Sequence, residues 1–342
     1  MSLCVLCVLI LCFSACALLS PNSSGRTVLP VTVPGHRVYS TGVEVQSRRI
    51  MPFEALADIL VQADVVALGE EHYHPDIQAF ALRLLQALTQ RQPQRLALAM
   101  EFLERDQQSA VDEYVHERIE ATAFQTRLGA SAAFMRSYFP LIDYARQQRL
   151  PVLAMNVPRR IARQVAREGL SATLQHLSPP ERAYLPATLA PVAPTYRTYF
   201  LGAVASHHTM QGELAERFVE ASHLKDDTMA EVLAQFLDQH RGFTVLALAG
   251  RFHVDYGTAI PALLQQRRPH LRVVRMTTIA VDANSLIDFQ QFAREALADY
   301  LWFTPPAPQQ SHRPSPRAPS QYQVYRIRQP GGEIGGGARL LP

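Results

Sequence analysis

Lysine and cysteine are what this chain has least of. Among its 342 residues only Lys225 is a lysine, so positive charge rests on scattered arginines and the formal balance is a small +3. A nucleic-acid surface needs a basic stripe, and the lack of one excludes nucleic acid as a partner. All four cysteines, Cys4, Cys7, Cys12 and Cys16, fall at the amino terminus. The rest of the chain therefore holds no disulfide and no thiolate metal site, and a metal would need His, Glu, Asp, Asn or Tyr as ligands. Three motifs are also missing: a Gly-x-Ser-x-Gly elbow, a glycine-rich phosphate loop after the first predicted strand, and a His-Glu-x-x-His helix. Their absence argues against acyl-serine hydrolases, nucleotide-binding enzymes and helical zinc sites.

The amino terminus is informative for what it has. Leu3 to Phe13 is a continuous apolar run, followed by Ser14-Ala15-Cys16 and then a stretch rich in Ser, Pro, Asn and Gly. This is the pattern of an export signal. Phe-Ser-Ala-Cys resembles a bacterial lipobox, which predicts a signal peptide over 1–16, lipidation of Cys16 and a flexible tether over 17–35. By the same resemblance Ala17 favours the outer membrane, so the expected location is the bacterial cell envelope, on a membrane anchor facing the periplasm. The rival reading is an uncleaved anchor, because the apolar run extends to Leu19 and about 18 apolar residues span a bilayer.

Beyond residue 35 the pattern is that of alternating strands and helices. Apolar runs at Ala63 to Gly69, Arg95 to Met100, Pro151 to Asn156, Phe243 to Gly250 and Leu271 to Val281 are continuous rather than alternating. Such runs mark strands covered on both faces. Helical periodicity appears over Pro75 to Gln90, Asp106 to Ile119, Ser137 to Gln148 and Arg159 to Glu168. Together they predict an α/β domain over 36–303, with a mainly parallel central sheet flanked by helices. The stretch from about 170 to 240 has proline-punctuated helices and no convincing strand; it is expected to be a helical insertion forming a lid or second lobe. Residues 304–342 form a Pro/Gly-rich tail in which "YQVYRIRQ" could be a last edge strand.

Ligands of open α/β sheets bind outside the carboxyl ends of the strands. Four predicted strands end in groups able to bind a metal or move a proton: Glu70 and His72 after the first, Glu101 after the second, Asn156 after the third, and Arg251 and His253 after the fourth. Glu70 and His72, two apart, share a face if the chain is still extended, while Glu71 points away. Glu70, His72, Glu101 and His253 could supply a ligand set for a divalent metal, or a general base with Arg251 stabilising an oxyanion. The bland alternative pairs the glutamates with arginines and leaves the histidines as helix caps. A second concentration lies in the insertion, where Tyr196, Tyr199, His207, His208, Met210 and His223 are possible haem-iron ligands and Arg197 could meet a propionate. Tyrosine and methionine at helical spacing also read as ordinary core.

Five segments, "DVVALGEEHYHPDIQ", "LALAMEFLERDQQ", "PVLAMNVPRRIA", "DDTMAEVLAQFL" and "LALAGRFHVDYGTAIPALL", look in that order like the successive motifs of the ChaN-like family of haem-binding uptake lipoproteins. The resemblance runs from about Ile59 to Leu264. It implies a fold shared with erythromycin esterases and the TraB and Tiki metalloproteases, with Glu70, His72, Glu101 and His253 on the shared strand-end pattern and Asn156 and Arg159 on the family's Asn-x-Pro-Arg stretch. It also implies haem or iron binding for uptake or storage, a possible homodimer enclosing the cofactor, and a tyrosine axial ligand. Tyr199 and Tyr196 are the candidates, with His207 or His208 assisting and Arg197 on a propionate. The resulting expectation is an envelope-tethered haem-binding lipoprotein; the alternative is a metal-dependent hydrolase using the strand-end Glu/His set.

Overall fold

A computed structural model describes residues 29–30, 32–205 and 212–308 of the chain. The lipobox with Cys16, most of the tether, the possible edge strand of the tail, and His207, His208 and Met210 lie outside the described residues.

A short strand β1 (Thr32–Pro34), strands β2 (Gly42–Glu44) and β3 (Arg49–Met51), and helix α1 (Phe53–Leu60) precede the first fully buried strand, β4 (Val65–Glu70). Helix α2 (Pro75–Arg91), β5 (Leu96–Glu104), helices α3 (Gln108–Val115), α4 (Ala121–Leu128), α5 (Ala132–Ser137) and α6 (Phe139–Gln147), and β6 (Val152–Asn156) follow. Next come α7 (Arg159–Glu168), α8 (Leu170–His176), the single turn α9 (Pro179–Arg182), α10 (Pro194–Ala205) and the long α11 (Gly212–Gln239). Strand β7 (Thr244–Gly250), α12 (Ile260–Arg267), β8 (Val273–Ala280), β9 (Leu286–Asp288), α13 (Phe289–Arg294) and β10 (Tyr300–Thr304) complete the described chain.

The main sheet has the order β3-β2-β10-β8-β4-β7-β5-β6. The six strands from β10 to β6 run parallel, and β2 and β3 extend that sheet antiparallel at one edge. Strands β1 and β9 pair separately. Each expected apolar run is a strand of the parallel core, buried because helices cover both faces. The two faces differ in residue size. Leu68, Leu98, Met100 and Leu248 pack with helices α1 to α6, whereas Ala67, Ala97, Ala99, Ala247 and Ala249 pack with α11 and α12. Alternation along a strand sorts the residues in this way.

That alanine-rich face corrects one expectation. The 170–240 stretch is helical throughout its regular elements, but the C-terminal half of α11 belongs to the sheet layer: Met229, Ala230, Leu233, Ala234 and Leu237 form a stripe packed on the sheet, while Val219, Ala221 and Leu224 pack away from it with α7 and α10. An i, i+1, i+4, i+5, i+8 stripe is the core-facing side of a helix in a layered fold. Small strand residues opposite it leave room for the helix to lie on the sheet. Strand β10, with Leu301, Trp302 and Phe303 buried, is a further parallel strand not anticipated from the sequence.

Candidate functional site

The carboxyl ends of β4, β5 and β7 meet, and the polar residues that follow them form two linked but distinct units. The first is built on Glu70, the last residue of β4, which is buried at 2% exposure. Its carboxylate accepts hydrogen bonds from His72 Nδ1 at 2.6 Å, Gln78 Nε2 at 2.5 Å and Tyr138 Oη at 2.9 Å. The chain turns sharply here: Tyr73 takes a left-handed φ of 62° and its N–H donates to Tyr138 Oη. Pro75 then opens α2, where a missing N–H costs nothing. Phe102 stacks on Tyr138 with centroids 3.9 Å apart and meets the His72 ring edge-on. The His72 side chain remains 46% exposed. Burial pulls its pKa down, but the bond to Glu70 and the charges of Glu101 and Glu70 outweigh that, and the net shift is upward. Gly250 is required for this approach, because a Cβ there would sit 2.6 Å from His72 Cε1.

The second unit is closed. Glu101 lies where β5 slips register against β6, between Met100 and Glu104. One of its oxygens accepts the Gly250 N–H at 2.7 Å and the other accepts from His253 Nε2 at 3.1 Å. His253 Nδ1 donates to Asp226 Oδ1 at 2.6 Å, and Asp226 Oδ2 accepts from Tyr196 Oη at 2.6 Å. All four side chains are buried. Burial alone would neutralise His253, but Glu101 and Asp226 on its two nitrogens hold it charged, with its pKa pushed up to about 10. Burial raises the Glu101 pKa, yet the imidazolium of His253 overrides it and holds the carboxyl well below its usual range. Burial first, and then the Asp226 charge, raise the Tyr196 phenol far above its ordinary value.

The four strand-end residues proposed from sequence are thus at one sheet edge, but as two pairs. The expected divalent-metal set is not what they form: among the described residues no group of three or more His, Asp or Glu side chains is arranged to hold a metal ion. Both oxygens of each glutamate already accept from protein donors, three on Glu70 and, on Glu101, His253 and a backbone N–H. Arg251, buried at 4%, is held by Asp255 through Nε at 3.0 Å and an Nη at 2.7 Å. Asn156 donates from Nδ2 to the Glu101 carbonyl at 3.1 Å, while its buried Oδ1 has no partner among the described residues. Asp226 and Tyr138, which complete the two units, were not anticipated. The one signal for Asp226 is a carboxylate placed inside the apolar stripe of a helix, which has to find a cation.

The haem-ligand candidates of the insertion are packed rather than open. Tyr199 Oη donates to the Phe252 carbonyl at 3.1 Å and its ring stacks on Phe252. Tyr196 is tied to Asp226, Arg197 pairs with Glu216, and His223 is buried edge-on to Tyr196, with burial lowering its pKa.

Next to the strand ends, α7 and α11 enclose a groove of about 370 Å³. From α7 it is lined by Arg159, Ala162, Arg163 and Ala166, from α11 by Phe218, Ala221, Ser222 and Lys225, and from α10 by Phe200. These spacings of three and four put each set on one helix face. The groove walls are apolar, three cations line it, and no carboxylate does. A porphyrin dicarboxylate needs that combination, an apolar slot with cations for its carboxylates. Arg159 also borders a smaller cavity of about 240 Å³ reached by Tyr73 and Phe102, so groove and strand ends adjoin.

A parallel α/β sheet with a polar carboxyl edge and a cation-lined apolar groove defines a ligand-binding protein of the open α/β class. Residues 56–264 match the family described as haem-binding uptake, Tiki superfamily, ChaN, and the chain belongs to that family. It is similar in fold to the ChaN of Campylobacter jejuni, solved with cofacial haem, at a TM-score of 0.58 and 19% identity over 76% of this chain and 95% of that one. It is also similar to an erythromycin esterase mutant, EreC, in its open conformation, at a TM-score of 0.42 and 15% identity over 71% and 77% of the two chains. Among curated proteins it is 24% identical over 270 residues to the chloroplastic protein RETICULATA-RELATED 5 of Arabidopsis thaliana, covering 73% of this chain and 35% of that protein. The chain thus spans about a third of that relative's length.

Proposed function

We propose that this chain binds haem in the groove between α7 and α11, for uptake or storage at a bacterial envelope where Cys16 carries the lipid anchor. Family membership supports the ligand class. The groove is the observation that carries the reading, since it joins apolar walls to Arg159, Arg163 and Lys225 with no carboxylate in its lining. Those side chains would hold the propionates, Phe200, Phe218 and the alanines would hold the ring, and bound haem would supply the chemistry of its own iron. The envelope part rests on the lipobox resemblance alone. Haemin titrated into the full chain in detergent is expected to bind saturably with a shifted Soret band, and Cys16→Ser is expected to move the protein from the membrane to the soluble fraction. A linear, non-saturating haemin response in a folded sample would reject the reading.

One observation favours a second reading, a hydrolase: His72 is oriented through Nδ1 by a buried carboxylate while its side chain stays half-open to solvent. A base or acid held in this way can exchange protons with a bound substrate or water. On this reading an ester or amide panel shows turnover that His72→Ala abolishes without unfolding the protein; no turnover across the panel removes it.

A further inference from the structure

The groove also says which part of its ligand is recognised, an inference that rests on the haem reading above. We propose that Arg163 and Lys225 form a carboxylate clamp, so that the site selects the dicarboxylate form of a flat tetrapyrrole by its two acid groups. Several basic side chains of this fold are taken up by acids: Arg160 by Glu181, Arg267 by Asp227, Arg268 by Asp238, Arg275 by Asp299. Arg163 and Lys225 are not, and the two border one groove from facing helices. Among the described residues neither side chain makes a hydrogen bond or an ion pair, although both border a cavity. Lys225 is half-buried, and it is the one lysine of the whole sequence. Lys225 is half-buried with only the longer-range charge of Glu101 acting on it, so an anionic ligand would restore solvation it has lost, and the exposed Arg163 can reach the same ligand.

The shape of the slot agrees with a planar ligand. Ala162 and Ala166, one turn apart on α7, face Ala221 across the cavity, so no branched side chain interrupts the walls. Phe218, 37% exposed, stands at the lip, where a ring system would cover it. Arginine and lysine stems can lie along such walls while their heads reach carboxylates at the opening. Arg159, already paired with Glu104 at 3.4 Å, is the weaker third cation.

The test compares iron-free protoporphyrin IX with its dimethyl ester by fluorescence titration into the full chain in detergent, alongside haemin. The diacid is expected to bind at least about tenfold tighter than the ester, the factor expected when a charge-assisted hydrogen bond is lost. Arg163→Gln and Lys225→Gln are each expected to weaken the diacid about tenfold, leave the ester unchanged, and keep the circular dichroism of the parent, with Lys225→Arg restoring diacid binding. Equal affinity for diacid and ester, or Gln variants that bind the diacid like the parent, would overturn the clamp while haemin binding left the haem reading intact. If haemin and both porphyrins fail to bind the folded parent, the haem reading falls and the clamp falls with it.

Discussion

His72 and His253 sit at the same sheet edge, each against a glutamate, yet they are opposite kinds of histidine. His253 is buried with a carboxylate on both ring nitrogens, and a tyrosine and a backbone N–H complete the circuit. His72 has a carboxylate on one nitrogen and leaves the protein on its other side, 46% exposed. The residue types are nearly the same, so burial and the number of partners decide which one is structure and which one is available. A buried ion network cannot lose one member without stranding the others, whereas a half-exposed histidine can be exchanged for water.

The largest effect should therefore come from His253. Replacing it with alanine leaves Glu101 and Asp226 buried without their shared cation, which is expected to cost about 3–5 kcal/mol, visible as a large fall in Tm or in soluble yield. A small change on His253→Ala would show that solvent reaches the network. The pH dependence sharpens the same point. The His253 pKa is raised in the folded state from its ordinary 6.5 to about 10, so the folded protein binds the proton more tightly than the unfolded chain. Its stabilisation is complete below pH 6.5 and is lost as pH rises toward 10. The Tm of the parent is expected to decline across that window. Asp226→Asn, which removes one of the two charges holding the proton, should make the decline end at a lower pH and so be smaller.

Much of this arrangement is readable from the sequence, and the unread part is specific. The five core strands announce themselves because each is an unbroken apolar run, and the first polar residue after each run marks the sheet edge. Strand β10 escapes because its five residues sit directly against the proline-rich tail, and β2 and β3 because three residues carry too little pattern to separate them from loop. The sorting of Glu70, His72, Glu101 and His253 into two pairs depends on partners distant in the chain. Tyr138 reaches Glu70 from 68 residues away and Asp226 reaches His253 from 27. Nor does the groove show in the sequence: Arg159 stands out only through the family's Asn-x-Pro-Arg stretch, and Arg163 gains a role only when α11, carrying Lys225, is laid against α7. Tyr196 and Tyr199 are ligand candidates through the family resemblance, their chemistry alone leaving core packing equally open, while their partners, Asp226 and the Phe252 carbonyl, come from tertiary packing.

The smallest effect, and the one that isolates the open histidine, is expected at Gly250. Its φ of −56° suits any residue, so alanine adds no backbone strain. The new Cβ would fall 2.6 Å from His72 Cε1 and 3.4 Å from Glu101 Oε2, and the half-exposed ring is the part free to move. Gly250→Ala should swing His72 away from Glu70 while Glu70 keeps Gln78 and Tyr138 as donors. With the Glu70 bond gone, the His72 pKa should fall from its raised value, read directly from the imidazole proton shifts in an NMR titration. Stability should change by no more than about 1 kcal/mol, the net worth of one hydrogen bond. His72→Ala should cost about the same, because it too leaves Glu70 with two donors. If Gly250→Ala instead destabilised the protein as much as His253→Ala, the displaced group would be Glu101, and the two units would be one network.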